Sequence, residues 1–439
     1  MKIVFKMGLG FVLFANLAGG FAGDLLSLYK EAKMHDATLA AAKAEYIAAQ
    51  EFLPQSKAVL EPEAQFQADS TWNRIDFQAK VGSSFINDYG DHRAGITVTQ
   101  PLYRPQLSIA VEQARVRTRV AEITLQAAQQ DLMLRVVNRY FYFLQKGANL
   151  SAVKSEKVAV FEQLEQAKRN FLVGTATVTD QREAQARYDL VLAHELEAEN
   201  ELEVARSQLG VLLGRELTEN LDSVTLPIDL PRPVPDQADI WIKQAYKTSF
   251  DVVIAQHNLG IAQQEVRRHN AENQPTVDAI GSHSFADQGF SSFGKYSAQS
   301  TSVGIRFKLP LYKGGGISSR VREAVALQER SRQDLELARR NSAQKTTESF
   351  LGVTSGLARV RALEQAVAST QLQLESTKLG QEVGVRTAVD VLNAEQQLTG
   401  ARRNLYDAVY ATIVAQLGLK AAVGRLSESD LESVNRLLN

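Results

Sequence analysis

A chain of 439 residues is long enough for two or three ordinary domains. Its 44% hydrophobic residues are normal for a folded protein, and its 23% charged residues exclude a disordered acidic or basic chain. Because the formal net charge is −1, the chain lacks the basic field of nucleic-acid binders, and we predict no nucleic-acid partner. The sequence has no cysteine, which excludes disulfides, thiol catalysis and cysteine-ligated metal centres.

The first 22 residues have the pattern of an export signal. Two lysines precede a short apolar run from Met7 to Leu17, and the small residues Gly20 and Ala22 suit cleavage after Ala22. The apolar run is too short to cross a bilayer, so we expect a signal peptide over residues 1–22. No later stretch approaches about 18 apolar residues, and we expect no transmembrane helix in the mature chain.

The chain repeats itself at an offset of about 210 residues. Pro101-Leu102-Tyr103 recurs as Pro310-Leu311-Tyr312, and Val173-Gly174 followed by Asp180 recurs as Val383-Gly384 followed by Asp390. Four prolines between residues 227 and 235 cannot belong to a helix. We therefore expect a first repeat over 23–217, a proline-rich linker over 218–236, a second repeat over 237–424 and a tail over 425–439.

Each half has the same predicted order of elements. A moderate helix (24–57; 238–272) precedes two alternating stretches, a very long helix (104–172; 317–382), a glycine turn and a second moderate helix (178–214; 388–422). At 1.5 Å per residue, each long helix spans about 100 Å, far beyond a globular helix. Two moderate helices placed end to end match that length, so one long helix is expected beside two coaxial shorter ones.

Heptad spacing predicts coiled-coil packing of these helices. Apolar positions step alternately by three and four residues, and alanine alternates with larger side chains along each seam. Because small residues allow close approach on both sides, the pattern favours a closed ring of helices over a two-stranded zipper. The seam comprises Ala184, Tyr188, Val191, Glu195, Ala198, Leu202, Ala205 and Leu209, with similar series over Val391–Leu419 and Leu107–Leu132.

The alternating stretches are predicted as two strands in each half. Phe66, Ala68 and Trp72 share one parity, and Ile75 and Phe77 resume on the other parity after a break. Polar segments at 82–93 and 287–297 are expected to connect the strands. The remaining strand positions are Ile96 and Val98, the weaker set Val277, Ala279 and Phe285, and the set Val303, Ile305, Phe307 and Leu309.

The apolar side of these strands has no remaining sequence to cover it. Apolar side chains toward lipid and polar ones toward a lumen are the signature of transmembrane barrel strands. Four strands cannot close a barrel, and open edges are forbidden in lipid, so subunits must share the barrel. Three subunits give twelve strands, although the sequence alone leaves eight or sixteen open.

The order of elements and its motifs resemble the TolC family of outer-membrane efflux and secretion ducts. The resemblance covers essentially the whole mature chain and is carried by the Pro-Leu-Tyr entries, by Phe171-Leu172-Val173-Gly174 with Thr179-Asp180, and by the segment from Val383 to Leu392. It implies a mainly α fold with a β-barrel: a homotrimer with a twelve-stranded outer-membrane barrel and a periplasmic tunnel of long coiled-coil helices. Because the lipidated cysteine of many drug-efflux members is missing, the chain is more similar to the non-lipidated secretion branch.

The resemblance also implies function and partners. The duct is expected to serve type I protein secretion, small-molecule efflux or both, working passively with an inner-membrane transporter (ABC or proton-driven) and a periplasmic adaptor. These partners are expected to dock at the helix-turn tips, which comprise Val173, Gly174, Thr175, Val383, Gly384 and Val385. The sequence does not distinguish protein, drug and metal cargo.

A gate at the periplasmic entrance is implied by the same resemblance. Arg386 is expected to bond to Asp180 and Thr179, and Asp390 to project into the lumen as a ring of carboxylates. Asn393 stands where a second ring carboxylate is typical, which predicts a weaker cation-binding ring and a looser latch. The alternative is that Thr179 and Asp180 merely cap the following helix.

No catalytic constellation, cofactor motif or metal-ligand spacing emerges from the sequence, and we predict neither an enzyme nor a metal site. The run from Tyr140 to Phe143 is expected to pack inside the long helix layer. A periplasmic structural or adaptor coiled coil is the alternative function, against which the paired strands in both halves argue. A surface adhesin would carry its barrel strands at the C-terminus only.

Overall fold

The computed structural model describes residues 23–290 and 294–438, so the predicted signal peptide lies outside the described residues. The described part consists mainly of helices, with one four-stranded sheet. In chain order the elements are α1 (Leu25–His35), α2 (Ala37–Gln50), α3 (Phe52–Ala58), β1 (Glu63–Phe77), β2 (Phe85–Tyr103), α4 (Pro105–Leu172), α5 (Val178–Leu213), α6 (Ala238–Thr248), α7 (Phe250–Ala271), β3 (Thr276–Gln288), β4 (Tyr296–Lys308), α8 (Gly316–Glu382), α9 (Ala388–Ala422) and α10 (Glu428–Asn435).

The two predicted long helices are confirmed. Helix α4 has 68 residues and begins with Pro105, whose fixed φ suits the first turn of a helix. Helix α8 has 67 residues and follows Gly315. At 1.5 Å per residue each helix is about 100 Å long. These two helices set the length of the molecule.

The predicted single helices over 24–57 and 238–272 are wrong in detail because each is interrupted. Asp36 separates α1 from α2: its carboxylate accepts a hydrogen bond from the Leu39 N–H at 2.7 Å and so starts a new helix. The same carboxylate binds the Arg135 guanidinium of α4 through two hydrogen bonds of 2.9 and 3.0 Å. Ser249 separates α6 from α7 in the second half.

The shorter helices lie along the long ones as predicted. Helix α4 packs against α1, α2, α3 and α5, and α8 packs against α6, α7 and α9. The shorter helices meet end to end where α9 finishes near the end of α6. There Gly424 has φ +67°, and a Cβ at this position would lie 2.3 Å from the Thr248 carbonyl oxygen. Only glycine permits this approach and this backbone conformation.

The predicted heptad seam of α5 is mostly buried. Its alanines and Leu209 face α4, and Glu195 is buried among them. The charge of Glu195 is balanced by Lys157 of α4, whose Nζ lies 2.6 and 2.7 Å from the two carboxylate oxygens. The seam therefore accepts a glutamate because the neighbouring helix supplies a cation.

The four strands form one antiparallel sheet in the order β1-β2-β3-β4. In the register, Phe66 lies opposite Ile96, Ile96 opposite His283, and His283 opposite Thr301. The expectation of a connecting segment over 82–93 is wrong, because β2 begins at Phe85 and pairs with β1 as far as Phe77. The strands have 13 to 19 residues and are longer than the alternating stretches predicted.

One face of the sheet near the helices is apolar, and none of the described residues covers it. Phe66 is 67% exposed, Val303 is 89% exposed and Ile305 is 74% exposed. The opposite face carries Gln65, Thr97, Ser282 and Arg306, as the alternation of a strand requires. Among the described helices, none combines the length and the apolar character that a membrane crossing requires.

The segments between and after the two repeats belong to the hydrophobic core. Leu217, Val224 and Leu230 of the connecting segment are buried with the aromatic residues of α4, as are Leu431 and Val434 of α10. The packing role predicted for the aromatic run of α4 is confirmed: Tyr140 is fully buried, and its O–H donates to the Asp222 carbonyl oxygen at 2.6 Å. The connecting segment and α10 therefore pack in one core with helices of both repeats.

Candidate functional site

Two turns join the long helices to the following shorter ones, and their backbone geometry is nearly identical. After α4, Gly174 has φ +78°, and the Thr175 N–H donates to the Asn170 carbonyl oxygen at 2.9 Å. After α8, Gly384 has φ +80°, and the Val385 N–H donates to the Gly380 carbonyl oxygen at 2.9 Å. The left-handed conformation of the glycine ends each long helix and reverses the chain.

Both helices that leave these turns begin with a capping box. The Asp180 N–H donates to Thr177 Oγ1 at 3.2 Å, and Asp180 Oδ2 accepts from the Thr177 N–H at 2.8 Å and from its O–H at 2.9 Å. Thr387 and Asp390 make the same three bonds at the same distances. The reciprocal bonds satisfy backbone donors that a helix N-terminus leaves free.

The capping bonds hold both aspartates in the charged form. Hydrogen bonds from the Thr177 N–H and O–H lower the pKa of Asp180 below its usual value. The pKa of Asp390 is lowered by the equivalent bonds from Thr387 and by the nearby Arg386 guanidinium. A lowered carboxyl pKa means that both side chains are negative at neutral pH. Each capping box loses its negatively charged aspartate only as the pH falls through the lowered pKa of that aspartate.

The predicted capping residues need a correction. Asp180 takes part in the cap, as the alternative interpretation proposed, but the N-cap residue is Thr177 and not Thr179. The spacing Thr-x-x-Asp at 177–180 and at 387–390 is a capping signature that the sequence already contained. Asp390, expected only as a lumenal carboxylate, has the same capping role in the second repeat.

The predicted latch stays a prediction. Within the described residues of one chain, Arg386 makes no ion pair or hydrogen bond to Asp180 or Thr179. Its exposed side chain passes close to Gly380 at the end of α8, where a Cβ would lie 2.7 Å from Arg386 Cγ. Asn393 is exposed near the start of α9, about one turn after Asp390.

The two turns carry exposed apolar side chains. Leu172 is 81% exposed, Val173 is 73% exposed, Val383 is 69% exposed and Val385 is 75% exposed. Each turn therefore presents a pair of exposed apolar side chains. Nothing else in the described chain covers them.

A polar bridge that the sequence analysis missed lies above the turns. The Arg187 guanidinium of α5 donates to Gln396 Oε1 of α9 at 3.4 Å, and Gln396 Nε2 donates to Glu156 Oε1 of α4 at 2.6 Å. The bridge joins the hairpin of the first repeat to the hairpin of the second. The two hydrogen bonds join residues that are 209 and 240 positions apart in sequence, and no local pattern marks them.

The described residues contain no cluster of three or more histidine, aspartate or glutamate side chains able to hold a metal ion. The groups that the two turns present are hydrogen-bonding and charged side chains, together with the exposed apolar ones.

Comparison with known proteins identifies the family. The family model described as "Outer membrane efflux protein" matches residues 28–215 and again residues 241–425. The outer membrane protein TolC of Vibrio cholerae is 32% identical over 418 residues, covering 94% of each chain. The proteases secretion protein PrtF of Dickeya chrysanthemi is 28% identical and covers 95% of this chain and 92% of its own.

A solved structure shows the same fold. The CmeC outer membrane channel of Campylobacter jejuni superposes with a TM-score of 0.79, covering 94% of this chain and 89% of that chain, at 15% sequence identity. The long paired helices form a helical tunnel, and the strands form a barrel in the outer membrane. With its doubled helix–strand pattern and its two glycine turns, this chain belongs to the outer membrane efflux protein family.

Proposed function

We propose that three copies of this chain assemble into a passive exit duct that leads from the periplasm through the outer membrane. The observation that carries the proposal is a four-stranded sheet with unpaired outer strands, mounted on two helices of 68 and 67 residues. In lipid every backbone donor and acceptor needs a partner, so the free edges of β1 and β4 call for neighbouring copies. Three copies give a twelve-stranded barrel, in keeping with the family.

The cargo and the partners are proposed from the relatives. PrtF and the alkaline protease secretion protein AprF of Pseudomonas aeruginosa cover 95% and 94% of this chain. The cation efflux system protein CusC of Escherichia coli covers only 58%. We therefore favour type I protein secretion, with small-molecule efflux as a second activity. An inner-membrane transporter supplies the energy, and a periplasmic adaptor contacts the apolar pairs at the two turns.

The duct is tested first by its assembly. Purified mature protein in detergent is expected to have the mass of three copies and to form channels in planar lipid bilayers. A monomer that stays soluble in water without detergent contradicts the proposal. Release from membranes without detergent would favour the periplasmic adaptor instead.

The gate is proposed to close when Arg386 of one copy binds Asp180 and Thr179 at a neighbouring helix pair. Exposed ion pairs of this kind contribute about 0.2–1 kcal/mol each, so a docked partner could break the latch in every copy. Asp390 places further negative charge near the entrance.

Arg386→Ala is expected to raise the open probability and the conductance of single channels, because each copy loses one closing contact. Arg182→Ala is the matched control, because it removes one exposed arginine near the start of α5. If Arg386→Ala and the parent give the same recordings, Arg386 has no part in the gate.

A further inference from the structure

The inner end of strand β4, where the sheet meets the helices, carries two cations on its lumenal side. Val303, Ile305 and Phe307 are exposed apolar residues of this strand and belong to the lipid side. Because successive side chains of a strand point to opposite faces, Arg306 and Lys308 lie on the side that faces the lumen. Both residues are exposed, so they place their charges in the water of the channel.

Neither of these cations has a carboxylate of its own. Asp278 lies directly opposite Arg306 in the register, but Arg104 already binds both of its carboxylate oxygens, at 2.7 and 2.8 Å. Asp278 is only 5% exposed. Among the described residues, the side chains of Arg306 and Lys308 make no ion pair and no hydrogen bond. The charges of Arg104 and Asp278 balance each other, and those of β4 remain.

Few other carboxylates lie at this level of the lumen. Besides Asp278, the described strands add only Glu63 on the lumenal side, level with Gly304 in the register. Next to the strands, the exposed Glu61 is outnumbered by the exposed Lys57 and Lys313. Each copy therefore keeps an excess of positive charge here, whichever copy places its Glu63 beside β4.

Further out, the lumenal face is uncharged over a long stretch. The next charged lumenal residues after Glu63 are Asp69 and its cross-strand partner Arg93, about 20 Å further along the strands. The lumenal side chains between the two levels are uncharged, as in Gln65 and Ser302. Charges in water are screened over about 10 Å at 0.1 M salt, so the outer pair does not offset the cations of β4.

We propose that Arg306 and Lys308 form a cationic belt around the inner end of the barrel lumen and favour anionic cargo, namely acidic segments of polypeptide. The belt acts through the water of the lumen, so its charges need no contact between copies. It rests on the shared barrel of the proposed function and adds a preference for one class of cargo. A strand whose other face is fixed by lipid leaves these two positions free to act on what passes.

A cysteine in place of Gly304 reports the potential near the belt, since the chain has no other cysteine. The position is about 7 Å from Arg306 along the strand, and a Cβ there meets no atom within 4 Å. The purified Gly304→Cys protein is modified in detergent with two methanethiosulfonates of similar size, one carrying a sulfonate and one a trimethylammonium group. The ratio of the two rates measures the preference for anions, because the reactivity of the thiol cancels.

Arg306→Gln combined with Lys308→Gln is expected to lower the sulfonate-to-ammonium ratio about threefold at 0.1 M salt, since charges at about 7 and 14 Å are lost. In 1 M salt the difference should vanish, because the screening length falls to about 3 Å. Arg93→Gln is the matched control, a lumenal cation too distant to act, and should keep the ratio of the Gly304→Cys protein. Equal ratios in that protein and in the double glutamine variant overturn the belt.

A charge-conserving variant separates charge from shape. Arg306→Lys combined with Lys308→Arg is expected to keep the ratio of the Gly304→Cys protein. A ratio that falls in this variant as far as in the double glutamine variant overturns the belt, because both positive charges are still present.

The class of cargo is tested with polymers of matched length. Polyglutamate is expected to slow the modification of the cysteine at position 304, and the double glutamine variant should lose this protection. Polylysine should leave the rate unchanged. Protection by polylysine, or none by polyglutamate, overturns acidic polypeptide as the favoured cargo while the duct stands. A Gly304→Cys protein and a parent that both fail to form a membrane-embedded oligomer overturn the duct, and the belt with it.

Discussion

At the scale of single residues, one threonine and one aspartate decide where each tip helix begins. Thr177 and Asp180 exchange three hydrogen bonds, and Thr387 and Asp390 repeat them in the second half. Because the charged aspartate accepts two of these bonds, its low pKa and the cap depend on one another. The carboxylates at the entrance are thus structural groups as well as candidate gate charges.

Replacing Thr177 by alanine removes the side chain that accepts the Asp180 N–H and donates to its carboxylate. Loss of an N-cap costs about 1 kcal/mol, which corresponds to roughly fivefold faster local opening. We expect the amides at the start of α5 to exchange with deuterium faster by that factor. Thr179→Ala is the matched control and should leave exchange unchanged. An equal effect of both substitutions would show that Thr177 is not the cap.

The residues that the sequence predicted well are those whose signal is local. The bounds of α4 and α8 follow from an uninterrupted helical pattern that ends at Gly174 and Gly384. The break at Asp36 also has a local cause, because its carboxylate caps the Leu39 N–H, but the contact of the same carboxylate with Arg135, 99 residues away, leaves no local pattern. The latch proposed for Arg386 would join neighbouring copies, so a single chain does not test it.

At the scale of elements, the lengths of β1 and β2 could not be predicted from alternation alone. Alternation predicted short strands because the polarity of β1 reverses after Trp72, and a pattern with one fixed parity stops there. The register with β2 continues to Phe77 regardless. The reversal itself was visible in the sequence, but its meaning depended on knowing that the strand does not end.

The helices of the two repeats are joined by the Arg187–Gln396–Glu156 bridge. If the gate opens by moving the α8–α9 hairpin away from the α4–α5 hairpin, this bridge opposes the movement together with the latch. Gln396 is central because it accepts from Arg187 and donates to Glu156. Its neighbour Gln397 is exposed.

Gln396→Leu is expected to favour the open channel. The substitution leaves the Glu156 carboxylate without its amide donor, which costs the closed state about 1 kcal/mol per copy, or roughly a fivefold shift toward opening. Single-channel open probability in planar bilayers measures this shift. Gln397→Leu should behave as the parent does. A parent-like open probability for Gln396→Leu would mean that the two hairpins do not separate at this level.

At the scale of the whole molecule, the first and the last of the described helices, α1 and α10, lie against each other. The Asn435 side-chain amide donates to Asp24 Oδ2 at 2.9 Å, and the Lys33 ammonium lies 2.5 Å from a Glu428 carboxylate oxygen. Helix α10 thereby covers α1, although more than 390 residues separate them. The sequence suggested only a tail after the second repeat, since contacts this distant leave no periodic signal.

Leu431 of α10 provides a direct test of this closure. Its side chain is fully buried in the core that also contains Leu25 and Tyr29 of α1. Truncation to alanine in such a site costs about 2–5 kcal/mol, so Leu431→Ala should lower the thermal unfolding midpoint of the purified protein in detergent. The exposed neighbour Glu432→Ala should leave the midpoint within error. If both variants have the unfolding midpoint of the parent, α10 does not contribute to stability. The two repeats must then be held together by α4, α8 and the connecting segment alone.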